Sequence, residues 1–400
     1  MKKIAAMISA CAAAFSLCAA AEKSYDVRIW DNYPIKENAK IWENVPQILK
    51  EAKWIWPSPY LNVDITNSYA LFRSPFVLDT VPQKAVLYIT ADQYYRLYVN
   101  GKFICKGPAR GYQKSWPYDE VDIAPYLQKG KNTIAVRAYN AGRDTFGYIS
   151  EGWAGVIYGV DLGGGKKILT NSKTKCIRED WCDRDTVPYS MQLNNQEHID
   201  MRKAPTEAWK FYDFDDSKWV VSDNEGIWNK MPYYTFEPRF TPFEEWKIIE
   251  SPKLIGENSG KTFSEDERVR NINVLISNED QSHKSAHNNG DTITVPPSPK
   301  GTFRSYLFDL GRVQIGVPIL EVRGAKGGEI IDITMDERVL DNLVLRNNYK
   351  QHCAVSIGSR MIARAGDNYH EFYHAMGSRY MMIRVRANPD STLEIKPSFR

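Results

Sequence analysis

The stretch KAVLYITADQYYRLYVNGKFICKGPARGYQKSWPYDEVDIAPYLQKGKNTIAVRAYN, residues 84–140, decides the fold class of the chain. Its centre is the Asn100-Gly101 dipeptide between two apolar segments, and an Asn-Gly connection of this kind is a strong signal for a β-hairpin. Two further apolar segments follow at 121–123 and 133–139, and the turn-forming residues 128–132 lie between them. The stretch therefore predicts a four-stranded antiparallel unit.

Alternating apolar and polar residues continue on both sides of this unit. They predict a jelly-roll-like antiparallel β-sandwich over 52–231 and a second sandwich over 261–400, with a linker at 232–260. In the second sandwich, segments 317–323 and 330–335 flank a glycine-rich connection and predict another hairpin. No long stretch has the period of a helix. The fold prediction is all-β, with two or more antiparallel sandwiches in tandem and no helical catalytic barrel.

The first 21 residues have the features of a secretory signal peptide. Lys2 and Lys3 precede an apolar run at 4–17, and the alanines at 19–21 provide a small-residue cleavage site. The apolar run is too short to span a bilayer. Residues 22–51 then form a polar N-terminal extension. The sequence predicts an exported protein, periplasmic or secreted, with no membrane-spanning segment.

Net charge and composition restrict the partners. Loss of Lys2 and Lys3 with the signal peptide lowers the formal charge from +3 to +1, which gives no electrostatic basis for binding nucleic acid. Aromatic residues make up 12% of the chain, and this surplus is typical of β-rich proteins. Aromatic side chains also suit sugar binding, although they serve first in cores.

Four cysteines remain after the signal peptide is removed, namely Cys105, Cys176, Cys182 and Cys353. An oxidising compartment permits disulfides, and Cys176 and Cys182 are close enough in sequence to close one loop. The alternative is that they are unpaired buried thiols. The absence of a C-x-x-C pair from the sequence gives no support to a thiolate zinc site.

The segment from His370 to His374 matches the H-E-x-x-H pattern of zinc proteases. That chemistry needs a helix, because only a helix brings residues i and i+4 together on one zinc ion. The Gly366-Asp367-Asn368 segment immediately upstream argues for a strand instead, on which Glu371 would point away from the two histidines. His283 and His287 have the same spacing but lie in a polar segment typical of a loop.

Carboxylates suitable for glycoside hydrolysis are numerous, and spacing alone does not pair them. Six of them lie in the loops of the first sandwich: Asp144, Glu151, Glu197, Asp200, Asp215 and Asp216. The cluster of Glu197, His198, Asp200 and Arg202 is more suggestive, since carboxylates beside a guanidinium can bind sugar hydroxyls directly or through calcium. Trp153 is a candidate stacking face for a sugar, with burial in the core as the alternative.

Several of these segments resemble bacterial α-L-rhamnosidases of glycoside hydrolase family 78. The Y-x-L-Y-V-N-G-like strand at Tyr95–Gly101 is followed by a Y-D-like strand and a G-x-N turn, as in the N-terminal sandwich of that family. Four later segments also resemble the family, in the same order: Glu197–Arg202, Phe214–Trp219, Phe308–Arg312 and Phe372–Tyr380. One departure is Gln196, which stands where the family has a glycine.

The resemblance implies a region of an exported, inverting enzyme that removes terminal L-rhamnose from glycans. In that family the catalytic carboxylates lie in an (α/α)6 barrel that follows the sandwiches, so no catalytic residue is assigned here. We expect an accessory region that binds a rhamnose-containing glycan and continues into such a barrel. The resemblance makes Trp153, Glu197, Asp200 and Arg202 candidate sugar-binding residues and calcium a candidate ligand, with the metal-binding residues undefined.

The alternative from another functional class is a stand-alone secreted carbohydrate-binding protein with no catalytic activity. The gene sequence downstream of the Arg400 codon distinguishes the two hypotheses. An open reading frame that encodes a long helix-rich domain would favour the rhamnosidase region. A stop codon would favour the stand-alone protein.

Overall fold

The structure is a computed structural model in which residues 46–400 form one compact unit. It describes residues 45–57, 64–111, 115–150, 152–221, 236–250, 252–288, 290–348, 355–386 and 388–400. The predicted signal peptide at 1–21, most of the extension at 22–51, Glu151 and Cys353 lie outside the described residues. In the part that is described, no helix combines the length and the apolar character that crossing a membrane requires.

Strands dominate the described residues, as the alternating pattern predicted. The α-helices described are short: α1 (Gln47–Glu51) and α2 (Ile272–Ser277). Single 3-10 turns occur at Ala124–Tyr126, Glu207–Lys210, Asp341–Leu343 and Arg346–Asn348. The described chain therefore contains no helical barrel, and the all-β prediction is confirmed.

The strands of the N-terminal half form the first sandwich, with the exception of β10 (His198–Asp200). In chain order these are β1 (Ser68–Leu78), β2 (Val86–Asp92), β3 (Tyr94–Val99), β4 (Lys102–Gly107), β5 (Trp116–Asp122), β6 (Gly130–Asn140), β7 (Gly155–Asp161), β8 (Lys167–Leu169), β9 (Lys175–Arg178), β10 (His198–Asp200), β11 (Val220–Val221) and β12 (Phe236–Pro238). One sheet has the order β11-β9-β1-β6-β3-β4, and the second has the order β12-β5-β2-β7-β8.

The Asn100-Gly101 hairpin is confirmed, and it joins β3 to β4 in antiparallel register. Asn100 and Gly101 have φ angles of 49° and 81°, the left-handed conformation that this turn requires at both positions. The four-stranded unit predicted around it is only partly correct. β5 pairs with β2 in the opposite sheet, whereas β6 pairs with β3 and β1. Alternation identified the strands, but it does not specify the sheet that each one joins.

The second sandwich uses the remaining strands. These are β13 (Ile249–Glu250), β14 (Lys253–Lys261), β15 (Lys284–Ser285), β16 (Ile293–Val295), β17 (Thr302–Gly316), β18 (Pro318–Ala325), β19 (Ile330–Asp336), β20 (Val339–Leu340), β21 (Val344–Leu345), β22 (Gly358–Ile362), β23 (Gly366–Glu371), β24 (Met376–Arg386) and β25 (Leu393–Phe399). Its larger sheet has the order β10-β22-β19-β24-β17-β14-β15. The smaller sheet has the order β13-β25-β18-β23, with β16 also on β25.

The hairpin predicted around the glycine-rich connection after β18 is wrong. β18 pairs with β23 and β25, while β19 pairs with β22 and β24 in the other sheet. The connection between them is therefore a crossover from one sheet to the other. Gly327 and Gly328 have φ angles of 100° and 102°, which only glycine adopts readily.

The predicted division into two sandwiches and a linker is more interleaved in the structure. β10 comes from the first sequence segment, but it pairs in parallel with β22 of the second sandwich. Within the predicted linker, β12 joins β5, and β14 forms a long antiparallel pair with β17. The second sandwich thus begins before residue 261 and incorporates a strand from the first segment.

A continuous apolar core joins the two sandwiches. Tyr69 and Tyr139 of the first sandwich belong to the same buried cluster as Leu320, Tyr373 and Val385 of the second. The Tyr69 and Tyr139 rings lie 4.6 Å apart, and the Tyr373 ring lies 5.6 Å from that of Tyr69. Aromatic contacts at these distances stabilise the junction beyond the area that they bury. The sandwiches are therefore packed together within the unit.

Of the two alternatives that the sequence left open for Cys176 and Cys182, the disulfide is absent, since both residues are buried free thiols. Cys176 lies in β9, in register with Phe72 of β1. The Cys182 sulfur instead lies 3.4 Å from a carboxylate oxygen of Glu179. Burial, with Glu179 nearby, raises the pKa of the Cys182 thiol well above its usual value. The alternative interpretation from the sequence, unpaired buried thiols, describes these two residues.

Candidate functional site

Glu197, a candidate sugar ligand from the sequence, lies in a buried ion cluster at the junction of the sandwiches. Its carboxylate accepts a hydrogen bond of 2.9 Å from Arg137 and one of 2.5 Å from the backbone N–H of Tyr373, and it lies 3.0 Å from His370 Nε2. Arg137 also forms a bidentate pair with Glu179, at 2.7 and 3.0 Å. The Glu197 side chain is fully buried, so its hydrogen-bonding capacity serves the junction.

The cluster holds Glu197 ionised. Burial alone would raise the pKa of Glu197, but Arg137 and His370 more than offset this effect and hold the pKa well below its ordinary range. Burial disfavours the charged form of a histidine, so it lowers the pKa of His374 well below its usual value. A carboxylate fixed in this way orients the segment after β23 and stabilises the junction.

The H-E-x-x-H motif therefore has a structural role. His370 and Glu371 lie in β23, and the motif is not on a helix. His374 Nε2 is 2.7 Å from the Tyr69 hydroxyl, while Glu371 forms ion pairs with Arg96 and Arg400. In the described ranges, no group of three or more His, Cys, Asp or Glu side chains is arranged to hold a metal ion.

The other candidate sugar ligands are in different places. Asp200 and Arg202 form an ion pair, and Arg202 also pairs with Glu267. Asp200 borders a pocket of about 340 Å³. Trp153 is half-buried before β7, and its carbonyl accepts a hydrogen bond of 2.7 Å from Asn140. The structure thus separates Glu197, which is buried at the junction, from Asp200, which borders that pocket, and from Arg202, which is partly exposed.

A larger cleft, which we call the aromatic cleft, lies over the junction and has a volume of about 590 Å³. Five segments line it, drawn from both halves of the chain: 106–110, 145–148, 189–194, 239–244 and 374–376, together with Tyr94. Its volume is within the range of about 300–1,000 Å³ typical of small-molecule sites. Chain segments that are distant in sequence therefore meet around one opening.

Two exposed aromatic side chains line the cleft. Phe146 is 58% exposed and Phe240 is 77% exposed, which is unusual for rings of this size. The backbone N–H of Phe146 donates a 2.8 Å hydrogen bond to the carbonyl of Gln192, which holds the loop in place. Exposed apolar faces in a polar cleft are the surfaces on which sugar rings stack.

A supporting layer of aromatic residues lies beneath these rings. The Tyr94 and Tyr148 rings meet edge to face at 4.8 Å, and the Tyr148 hydroxyl donates to the carbonyls of Pro108 and Ala109 at 2.8 and 3.1 Å. A Cβ atom at Gly147 would lie 3.0 Å from the Tyr94 hydroxyl, so the glycine leaves space beside that group. The cleft is therefore pre-formed and has a hydroxyl at its base.

Charged and amide groups complete the lining. They are Lys106, Arg110, Gln192, Asn194, Arg239 and Glu244. Arg239 is ion-paired with the buried Asp119, and its guanidinium also donates a 3.2 Å hydrogen bond to the Lys106 carbonyl. These donors and acceptors can bind the hydroxyl groups of a sugar while the exposed aromatic rings contact the face of the sugar ring. The arrangement suits binding more than bond cleavage.

Sequence reasoning did not identify the aromatic cleft. The available signal was aromatic residues beside glycine or proline in loop segments, as in Thr145–Tyr148 and Arg239–Pro242. Such residues are more often found in cores, and only the fold shows that Phe146 and Phe240 face the same opening.

Comparison with known proteins connects this fold to one family. Residues 80–231 match the α-L-rhamnosidase N-terminal domain family. A curated α-L-rhamnosidase from Streptomyces avermitilis is 24% identical over 205 residues, which cover 49% of this chain and 17% of that protein.

Solved structures give the same fold over most of the chain. A family 78 rhamnosidase from Bacillus sp. GL1 has a TM-score of 0.69 and 16% identity, covering 86% of this chain and 54% of its own. The α-L-rhamnosidase from Aspergillus terreus has a TM-score of 0.53 and 18% identity, covering 87% of this chain and 36% of its own.

The chain thus spans about half the length of the Bacillus enzyme and a smaller share of the others. Residues 80–231 thus match the α-L-rhamnosidase N-terminal domain family, and the tandem sandwiches have the fold found in solved structures of rhamnosidases.

Proposed function

We propose that this chain is the accessory, carbohydrate-binding region of an exported α-L-rhamnosidase. The sandwiches would hold a rhamnose-containing glycan in the aromatic cleft and would be continuous with an (α/α)6 catalytic domain. The observation that carries the proposal is the cleft itself, a pre-formed opening with two exposed rings in a region with the rhamnosidase fold.

The structure favours the aromatic cleft over the residues proposed from sequence. Glu197 is fully buried and already accepts hydrogen bonds from Arg137 and Tyr373. Direct sugar binding by Glu197 would require breaking that cluster, which is costly for a buried ion pair. Phe146 and Phe240 are already exposed, so a sugar ring can contact them without rearrangement.

Isothermal titration with an L-rhamnose-terminated oligosaccharide tests the proposal. We expect binding by the wild-type chain, loss of at least about tenfold in affinity in the Phe146→Ala/Phe240→Ala double variant, and retention in Asp200→Ala. The matched control is Phe263→Ala, which removes a phenylalanine that is 66% exposed and is not among the residues that line the cleft.

The same titration, repeated with calcium and with a chelator, tests the site proposed from sequence. Calcium-dependent binding that is lost in Asp200→Ala but unchanged in the double variant would place the sugar at Asp200 and Arg202. Absence of binding under every condition would contradict a carbohydrate-binding role.

A further inference from the structure

Lys106 of β4 has an unusual environment at the base of the aromatic cleft. Its ammonium nitrogen lies 5.4–5.9 Å from the ring centroids of Tyr94, Trp246 and Tyr373. Its hydrogen bond goes to a neutral group, the Tyr373 carbonyl, at 3.4 Å. Among the residues that the structure describes, no carboxylate lies within ion-pair distance of Lys106. The rings attract the cation, but they do not neutralise it.

The carboxylates that attract Lys106, namely Glu244, Glu371 and Glu197, form no ion pair with it among the described residues, and Arg96 repels it. Arg96 and Arg400 share the carboxylate of Glu371, each at 3.0 Å, so two cations face one anion. The charge of Arg239 is balanced by Asp119. Glu244 lines the same cleft and attracts Lys106, but no ion pair joins the two in the described part of the chain.

A cation held in this way gains from an anionic ligand. Burial, together with the nearby Arg96, lowers the pKa of Lys106 to about 8, so an anionic ligand that contacts the ammonium group would favour its charged form. Arg110 is exposed and lines the same cleft, so a second cation is available to the same ligand. A carboxylate that contacts both would form charge-assisted hydrogen bonds.

We propose that Lys106 and Arg110 form a subsite for the carboxylate of an acidic sugar, a uronic acid residue, whose ring contacts the exposed aromatic side chains. This inference rests on the proposed carbohydrate-binding function and specifies its ligand class. The acidic sugar would lie beside the rhamnose in the same glycan chain, because the volume of the cleft, about 590 Å³, exceeds that of a single sugar ring.

Paired ligands of the same shape provide the test. Methyl β-D-glucuronide and methyl β-D-glucoside differ only at C6, which is a carboxylate in the first and a hydroxymethyl group in the second. Both are titrated into the wild-type chain at low salt. We expect the glucuronide to bind at least about tenfold more tightly, and this preference to disappear in Lys106→Met and in Arg110→Met. Lys102→Met, which removes an exposed lysine from the same strand, should retain it.

The outcomes separate the two proposals. The acidic-sugar subsite would be overturned if the two ligands bound with equal affinity, or if the preference for the glucuronide persisted in both cleft variants. Binding of the rhamnoside in the same experiments would still support the proposed function. Absence of binding by the glucuronide, the glucoside and the rhamnoside would contradict both. Thermal unfolding of each variant checks that it folds, and Arg110→Met retains the test if Lys106→Met does not fold.

Discussion

The Glu197 cluster and the aromatic cleft both lie at the junction of the sandwiches, and they use the same kinds of residue in opposite ways. In the cluster, Arg137 is matched by two carboxylates, and Glu197 is fully buried. In the cleft, Lys106 forms no ion pair within the described residues, and Phe146 and Phe240 are exposed. Matched and buried charges stabilise a junction, whereas an unmatched charge beside exposed rings is available to a ligand.

The comparison predicts that the largest effect on stability comes from the cluster. Replacing Glu197 with Ala leaves His370, one N–H of Arg137 and the backbone N–H of Tyr373 without their acceptor. We expect a loss of about 3–5 kcal/mol in the free energy of unfolding, measured by urea denaturation.

The control for this variant is Asp213→Ala, which removes the exposed partner of Lys131. A surface pair of this kind contributes about 1 kcal/mol or less. Similar losses in the two variants would mean that the buried cluster does not stabilise the junction, and the distinction between cluster and cleft would fail.

The next effect is a loss of stability in acid. Burial lowers the pKa of His283 to about 4 and that of His198 to about 3. Between these values and about pH 6.5, both side chains are neutral in the folded chain, whereas they are protonated in the unfolded chain. Stability should therefore fall as the pH drops below about 6.5. It should fall further below about 4.5, because the pKa of Glu197 and that of Asp332 are lowered on folding.

Urea denaturation between pH 7.5 and pH 4 measures this dependence. His283→Gln should flatten the first part of the profile, whereas replacement of the exposed His287 should leave it unchanged. A profile that is flat from pH 7.5 to pH 5 in the wild-type chain would contradict burial of neutral histidines.

A smaller effect is expected from the cleft rings. Phe146→Ala alone should weaken binding of the rhamnose-terminated oligosaccharide by about three- to tenfold, since one of two stacking faces is lost. Its midpoint of thermal unfolding should change little, because the ring is 58% exposed. A large fall in stability with unchanged affinity would assign Phe146 to the core instead of the cleft.

The free energy of unfolding is expected to be the same with and without a reductant, because Cys176 and Cys182 are already thiols. Cys176 and Cys182 should both be alkylated when the chain is denatured without reductant, as shown by peptide mass mapping. Recovery of a linked Cys176–Cys182 peptide would contradict the free thiols and support the disulfide alternative.

Local patterns predicted the strands well and their partners less well. The Asn100-Gly101 turn was predicted because its geometry depends on two adjacent residues. The pairing of β19 with β22 and β24 could not be predicted in this way, because alternation within a strand carries no information about its neighbours.

The site was harder to predict for the same reason. Glu197 was proposed from the sequence as a sugar ligand, whereas its place in the buried cluster depends on Arg137, 60 residues away, and on His370, 173 residues away. The aromatic cleft brings together residues from Tyr94 to Met376. Its chemistry arises from the junction of the sandwiches, and no single motif represents it.

A crystal structure of the chain soaked with an oligosaccharide containing rhamnose and a uronic acid would test the central claim most directly. The expected result is sugar density in the aromatic cleft, with one ring against Phe146 or Phe240 and the carboxylate next to Lys106. Sugar density beside Asp200 and Arg202, with the aromatic cleft empty, would contradict the claim.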